Sequence, residues 1–375
     1  MKRFVGKKIK LRHKVLLGIY LFSIIVYSLA WFLKPAVDFY RLSVFPLWTN
    51  TLARVMSLFP FSVGEILIYV GIFLVFVAMI FLFLSIWKKQ VFWNKAKKYY
   101  EFLLWVIAWV ILTETMNCFV LYHASTVEEQ YYENKTYGVE ELCLVYGEVV
   151  EKANELSLVM ERDAAGNVVY DGDLYAACKT AMQNLGTTYP YLSGYYPNPK
   201  PIASSDFMSQ QYLTGIYFPF TLEANYNTTM YLMNAPATIC HEFSHLKGVI
   251  LEDEANYFGF VACIQSENAF LQYSGYLSVI DYLEREVKKY DAMDASLPQM
   301  NTFVRKDSVF LTEEAWDKVE KKAVISTETA NQATNVFLQS NLKANGVSDG
   351  MISYSRVVRL LLDYYDGILW EDENE

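Results

Sequence analysis

A short run of residues, His241-Glu242-Phe243-Ser244-His245, has the composition and spacing of a metal site. Two histidines four positions apart lie on the same face of an α-helix, so both imidazoles can reach one ion. The glutamate that follows the first histidine is placed to accept a proton from a water molecule at that ion. The pattern predicts a Zn²⁺ site with Glu242 as its general base.

The third ligand is expected to be a carboxylate, because the chain contains only four histidines. His13 belongs to a basic N-terminal tail and His123 ends an apolar stretch, so neither is an obvious ligand. Glu252 begins a second acid-bearing segment, and Asn256 follows four residues later on the same helical face. Glu252 is therefore the favoured ligand, and Asn256 is expected to hydrogen-bond a ligand histidine and fix its orientation.

Two other glutamates remain alternatives to Glu252. Glu254 points to a different helical face, so it should not bind the same ion as Glu252. Glu267 becomes the ligand if the chain cannot turn back within the six residues that separate His245 from Glu252. Three protein ligands leave a fourth position for water, which is the arrangement of a catalytic site. Without a metal, the same residues would be the solvated face of an amphipathic helix.

Peptide hydrolysis at such a site also needs an electrophile for the tetrahedral intermediate, and no spare histidine is available. A tyrosine or an arginine has to serve. Tyr273 and Tyr276 follow the second acid-bearing segment and are the main candidates, with Tyr354 and Arg356 as others. Because the chain holds 29 tyrosines, packing is an alternative role for each of these tyrosines.

The composition predicts membrane-embedded segments, since 53% of the residues are hydrophobic, 16% are aromatic and the mean hydropathy is +0.14. The stretches 15–33 and 66–87 carry no formal charge, and 102–122 carries only Glu114. Each is long enough to be a transmembrane helix, so residues 15–123 form the predicted membrane region. A carboxyl in such a helix either lies near its exit end, among lipid headgroups, or faces other helices or water and has a function.

Charge is distributed unevenly, with a net +13 on residues 1–100 and −22 on residues 101–375. The positive-inside rule places the basic tail 1–14 and the basic segment 88–100 in the cytoplasm. Three spans then place residues 124–375 outside the cytoplasm, provided that the third stretch crosses the membrane. The acidic charge of this domain argues against a nucleic-acid partner.

Beyond residue 123 the apolar spacing of three and four residues predicts a mainly α domain. Segments rich in β-branched and aromatic residues at 212–221 and 228–233 predict short strands and hence a small β-sheet. Asn234, Pro236 and Gly248 have the positions of an N-cap, a first-turn proline and a stop for the helix that carries the histidines. The predicted helices are 126–160, 173–185, 235–247, 252–273, 276–292, 312–342 and 352–365.

His241-Glu-Phe-Ser-His245 followed by Glu252-Asp-Glu-Ala-Asn256 resembles the gluzincin metallopeptidases, in which the third zinc ligand is a glutamate on a later helix. It is most similar to their membrane-anchored branch, which includes the CAAX prenyl endopeptidases. Asn256 stands where many gluzincins have aspartate. A closer resemblance is to an uncharacterised bacterial family of membrane-bound zinc peptidases. That resemblance is carried by 218–221, 236–248, 252–256, 273–276 and 349–354.

The resemblance implies N-terminal transmembrane helices followed by a mostly helical, zincin-like domain, but it implies no particular substrate. Together with the residues of the site, it predicts a multi-pass zinc metalloendopeptidase of the cell membrane that cleaves a peptide or protein substrate. The alternative is a membrane sensor or scaffold with a structural or vestigial zinc site, although a structural site needs no general base such as Glu242. An intramembrane protease fits poorly, because residues 230–250 carry too many polar and charged side chains to span a membrane.

Overall fold

The structure is a computed structural model, and it describes residues 10–87, 92–294, 296–347 and 354–370. The chain is mainly α-helical with one small sheet of three strands, which confirms the predicted fold class. Much of the basic tail and residues 88–91 of the second basic segment lie outside the described residues.

Most of the described residues belong to α-helices. In the first third of the chain these are α1 Leu11–Ala30, α2 Lys34–Phe39, α3 Phe45–Trp48, α4 Arg54–Met56, α5 Val63–Trp87 and α6 Trp93–Glu114. The others are α7 Val127–Tyr131, α8 Val139–Ser157, α9 Leu174–Leu185, α10 Ser205–Gln210, α11 Ala235–His245, α12 Glu252–Ile264, α13 Ala269–Lys289, α14 Thr302–Asp307, α15 Glu313–Lys322, α16 Thr327–Ala344 and α17 Tyr354–Tyr365.

Three helices are long and apolar enough to cross a membrane, as the sequence predicts. They are Leu11–Ala30, Val63–Trp87 and Lys95–His123, which we call the first, second and third spans. The third span is α6 continued by a π-helical turn, Thr115–Phe119, and a 3-10 turn, Leu121–His123. By the length and composition of these helices, the chain is a membrane protein.

The segment between the first two spans is helical, a feature that its residue pattern did not predict. Helices α2, α3 and α4 are joined by π-helical turns. Every fourth residue is buried: Val37, Arg41, Phe45, Thr49 and Ala53. Large apolar side chains are exposed elsewhere on this segment, namely Phe39, Leu42, Leu47, Trp48 and Val55. One buried stripe beside an exposed apolar surface is typical of a helix at a membrane surface.

The sheet consists of β1 Lys200–Pro201, β2 Gly215–Phe218 and β3 Glu223–Tyr226, in the order β1-β3-β2. Strand β3 pairs parallel with β1 and antiparallel with β2, so β2 is an edge strand. The predicted strand at 212–221 contains β2, but the strand predicted at 228–233 is wrong, since that segment holds a 3-10 turn. The third strand is β3, whose buried polar residues hide it from a search for apolar alternation.

Three predicted helices are divided in the structure, and one of them, predicted at 312–342, consists of α15 and α16. The helix predicted at 126–160 is two helices, α7 and α8. The helix predicted at 252–273 ends at Ile264, and Asn268 then starts α13 by accepting a hydrogen bond from the Phe270 amide at 3.0 Å. Helix α11 packs against α12, α13, α9 and β3, so almost all of its residues are buried. It is the central element on which the candidate site is built.

The sheet is joined directly to the membrane region. The carboxylate of Glu223 in β3 is buried, forms an ion pair with Lys200, and accepts hydrogen bonds from the amides of Val63 at 3.2 Å and Gly64 at 2.6 Å. A carboxylate at a helix N-terminus is favoured by the helix dipole. Gly64 also lies so close to the Phe218 ring that a Cβ at this position would overlap it. The start of the second span is therefore packed tightly against the sheet.

Candidate metal centre

The turn after α11 decides whether the ligands can meet. Gly248 has a φ of +81°, a conformation that favours glycine, and the Val249 amide donates to the Ser244 carbonyl at 3.1 Å. The resulting turn reverses the direction of the chain, so α12 begins at Glu252 and packs against α11. The short step from His245 to Glu252 is therefore sufficient. The start of α11 differs from the prediction, because the Asn234 side chain makes no capping bond.

The structure brings His241, His245 and Glu252 together. The Nε2 atom of His241 lies 3.2 Å from Glu252 Oε2, and that of His245 lies 3.8 Å from Oε1. One ligand atom from each residue lies within 4.8 Å of the other two. A tetrahedral zinc ion, with bonds of about 2.0–2.1 Å, separates its ligand atoms by roughly 3.3 Å. The three side chains thus fit a zinc ion with small adjustments.

The Nδ1 atom of each imidazole already forms a hydrogen bond. His241 Nδ1 hydrogen-bonds Asn256 Oδ1 at 2.9 Å, and His245 Nδ1 hydrogen-bonds the Val249 carbonyl at 2.7 Å. As a donor in each bond, Nδ1 carries the proton and leaves Nε2 free to bind a metal. The predicted hydrogen bond between Asn256 and one of the two histidines is present. The role of Val249 was missed, because a backbone carbonyl leaves no signal in residue types.

Glu242 lies in the cleft beside these ligands, with 4% of the residue exposed. Its Oε1 is 4.0 Å from His241 Nε2, and its Oε2 has no hydrogen-bond partner among the described residues. Gly215, the first residue of β2, packs directly against this carboxyl. Burial raises the pKa of Glu242 to about 8. The side chain therefore has a free oxygen and a pKa suited to proton transfer near neutral pH.

Burial and charge act differently on the two histidines. Burial lowers the pKa of His245 to about 4, so this imidazole is neutral at pH 7, as a metal ligand must be. Burial also acts to lower the pKa of His241, but the hydrogen bond and charge of Glu252 outweigh it and raise that pKa to about 9. Binding of a metal ion to His241 must therefore displace a proton.

The two alternative carboxylates lie elsewhere. Glu254 is buried and accepts a hydrogen bond from the Val127 amide at 2.6 Å, on a different face of α12 from Glu252. Glu267 is exposed beyond the C-terminal end of α12, which lies about 18 Å along the helix from Glu252. Of the three carboxylates considered, the structure places only Glu252 beside the histidines.

The tyrosines proposed as electrophiles are not at the centre. Tyr273 is buried and donates a hydrogen bond to Asp307 Oδ2 at 2.8 Å, beside the ion pair of Asp307 with Arg162. Tyr276 packs edge to face on Phe260, with ring centroids 6.0 Å apart. Both lie on α13, which packs behind α12, so the expectation for these residues is corrected.

Arg356, another candidate, is not among the described residues that line the centre. Arg356 lines a separate cavity beside Glu128 and Glu254. The side chain of Tyr354 lies outside the described residues.

The centre opens into a cleft of about 460 Å³, bounded by the third span, the β2–β3 hairpin, α11 and α16. Two tyrosines line it. The Tyr217 ring lies 5.8 Å from the His245 ring, and its hydroxyl donates to the Asn117 carbonyl at 3.2 Å. Tyr122, in the third span, has a hydroxyl with no hydrogen bond to a described residue. Sequence reasoning missed both, because they are far from the histidines in the chain.

Fold and site together define a helical membrane protein with two histidines, a glutamate and a buried carboxyl at one cleft. The chain belongs to the family described as "Protein of unknown function (DUF3810)", whose profile matches residues 40–362. The matched region includes the second and third spans and both helices of the candidate centre. No curated protein and no solved structure matches the chain.

Proposed function

We propose that the protein is a membrane-anchored zinc metallopeptidase that hydrolyses peptide bonds. The observation that carries the proposal is the buried Glu242 carboxyl, with an oxygen that lacks a described hydrogen-bond partner, beside the His241, His245 and Glu252 set in an open cleft. A structural zinc site is closed by its ligands and needs no neighbouring base, whereas a catalytic site has three protein ligands and a position for water.

The residues have separate tasks in the proposed reaction. A zinc ion held by His241, His245 and Glu252 would lower the pKa of a water molecule and polarise the scissile carbonyl. Glu242 takes a proton from that water as the water oxygen bonds to the carbonyl carbon. The same carboxyl then delivers the proton to the leaving nitrogen as the C–N bond breaks, which yields a carboxylic acid and an amine. Asn256 holds the His241 ring throughout.

The cleft also offers features for holding an extended substrate. Strand β2 is an edge strand, and its residues 216–218 line the cleft. An extended peptide can pair with the free backbone groups of such an edge. The Tyr122 hydroxyl is available to donate a hydrogen bond to the negatively charged oxygen of the tetrahedral intermediate.

The catalytic domain is proposed to lie outside the cytoplasm. Three apolar helices precede the domain, and an odd number of crossings supports this location, because the positive-inside rule assigns the N-terminal tail to the cytoplasm. A reporter that is active only in the cytoplasm, fused after Glu375, should be inactive. Reporter activity would place the domain in the cytoplasm.

The activity is tested by comparing the wild-type protein with Glu242→Gln, each purified at full length in detergent or nanodiscs. Zinc content and cleavage of casein and of a peptide library are measured for both. We expect about one zinc per chain in both proteins and cleavage by the wild type alone. A wild type without zinc would contradict the proposal, and bound zinc without cleavage would favour a sensor or scaffold.

A further inference from the structure

One wall of the cleft is a membrane-spanning helix. Five residues of the third span line it, and four of them recur at every fourth position: Val110, Glu114, Cys118 and Tyr122. Residues at this spacing share one helical face, so a single face of the span is directed at the metal centre over about three turns. The same cleft is lined by His241, Glu242 and His245. A substrate at the centre must therefore lie against the third span.

Glu114 is the charged residue of this helical face, and its surroundings are mainly apolar. The cleft that it lines is also lined by Phe119 of the same span and Phe220 of the β2–β3 hairpin. Among the described residues, the Glu114 carboxyl makes no hydrogen bond and no ion pair. A carboxylate in apolar surroundings is unfavourable unless a partner compensates its charge.

The partner is not supplied by the rest of the cleft. No lysine or arginine is among the described residues that line it, and its two histidines are the candidate metal ligands. Glu114 does not belong to the group of metal-binding side chains either. The carboxyl is thus free to interact with whatever occupies the cleft.

We propose that Glu114 binds a cationic group of the substrate and thereby determines where the chain is cleaved. This inference rests on the proposed peptidase function and adds a substrate class to it. A polypeptide has two sources of such a group, a Lys or Arg side chain and a free N-terminal amine. Both are nitrogen cations that form charge-assisted hydrogen bonds with a carboxylate, and these are stronger where water is excluded.

The test uses pairs of peptides that differ only by Lys or norleucine at one position, each with a free or an acetylated N-terminus. The full-length wild type should cleave cationic members at least about 10-fold faster in kcat/KM, the size expected for a hydrogen bond to a charged group. Glu114→Gln should remove this preference, and Glu114→Lys should transfer it to peptides with Asp or Glu. If the bound group is the N-terminal amine, acetylation should slow cleavage and the change from Lys to norleucine should not. If the bound group is the Lys side chain, the change to norleucine should slow cleavage and acetylation should not.

Glu101→Gln is the matched control, because Glu101 lies on the same span about 20 Å from Glu114 and pairs with Arg12. It should keep the wild-type preference, and zinc content checks that each variant is folded. Wild-type cleavage that requires Glu242 but shows no cationic preference would overturn the assignment of Glu114 alone. A preference that persists in folded Glu114→Gln would also overturn it. Absence of any cleavage would refute the peptidase and this specificity together.

Discussion

Gly215 offers a sharp test of the proposed base, because it is the residue of β2 that packs against the Glu242 carboxyl. A Cβ built at Gly215 would lie 2.7 Å from Glu242 Cγ, 2.8 Å from Cδ and closer still to Oε1. Since ordinary contacts begin near 3.4 Å, Gly215→Ala should push the carboxyl away by about 1 Å. The metal ligands are held by other contacts and should stay in place.

The expected loss of activity follows from this displacement. A misplacement of about 1 Å in a catalytic group can reduce the rate roughly 100-fold. This corresponds to about 2.7 kcal/mol in the activation free energy. Gly215→Ala should therefore lower kcat/KM about 100-fold while zinc binding is retained.

The assay measures kcat/KM on the peptide that the wild type cleaves fastest, together with zinc content and thermal stability. Gly71→Ala is the matched control, because a Cβ at Gly71 on the second span meets nothing within 4 Å. This control should match the wild type. A double-mutant cycle with Glu242→Asp adds a second check, since the shorter side chain withdraws the carboxyl from position 215. Gly215→Ala should then cost much less than in the wild type.

A folded, zinc-loaded Gly215→Ala with activity within threefold of the wild type would refute this reasoning. Strict additivity in the double-mutant cycle would also contradict it, because it would mean that the alanine does not act through Glu242.

Three further predictions concern the ligands and the junction with the membrane. Glu252→Gln should lose zinc, whereas Glu254→Gln should keep it. Burial raises the pKa of Glu254 to about 8, so its carboxyl is mostly protonated at pH 7. Metal analysis of both variants measures the difference in zinc content. Asn256→Ala should weaken zinc affinity roughly 10- to 100-fold in competition with a chelator, and Asn256→Asp should not. Lys200→Met should lower the free energy of unfolding by about 3–5 kcal/mol, because it leaves Glu223 buried and unpaired, and adding Glu223→Gln should restore part of it in denaturant titrations.

Much of the candidate site could be predicted from the sequence because its geometry is local. The four-residue spacing of His241 and His245 places them on one helical face wherever the helix lies. The same spacing on the next helix selects Glu252 with Asn256 behind it, and in the structure Glu252 lies beside both histidines while Asn256 hydrogen-bonds His241. The spans were predictable for a similar reason, since the length of an apolar run alone shows whether a helix can cross a bilayer.

The walls of the cleft could not be predicted in this way. Glu114 and Tyr122 are more than 100 residues from His241 in the chain, and they meet it only because the third span packs beside the hairpin and α11. Tyr273 is much nearer to the histidines in sequence, yet it is turned towards Asp307. Closeness along the chain was therefore a poor guide to the electrophile.

Periodicity within one helix thus identified the candidate metal ligands and the candidate membrane spans from the sequence alone, because both depend on backbone geometry that is the same in every helix. Only the tertiary structure decided what surrounds them: the glycine against Glu242, the two tyrosines that line the cleft and the carboxyl in the third span. Those neighbours come from packing between distant segments, which no local pattern of residue types records.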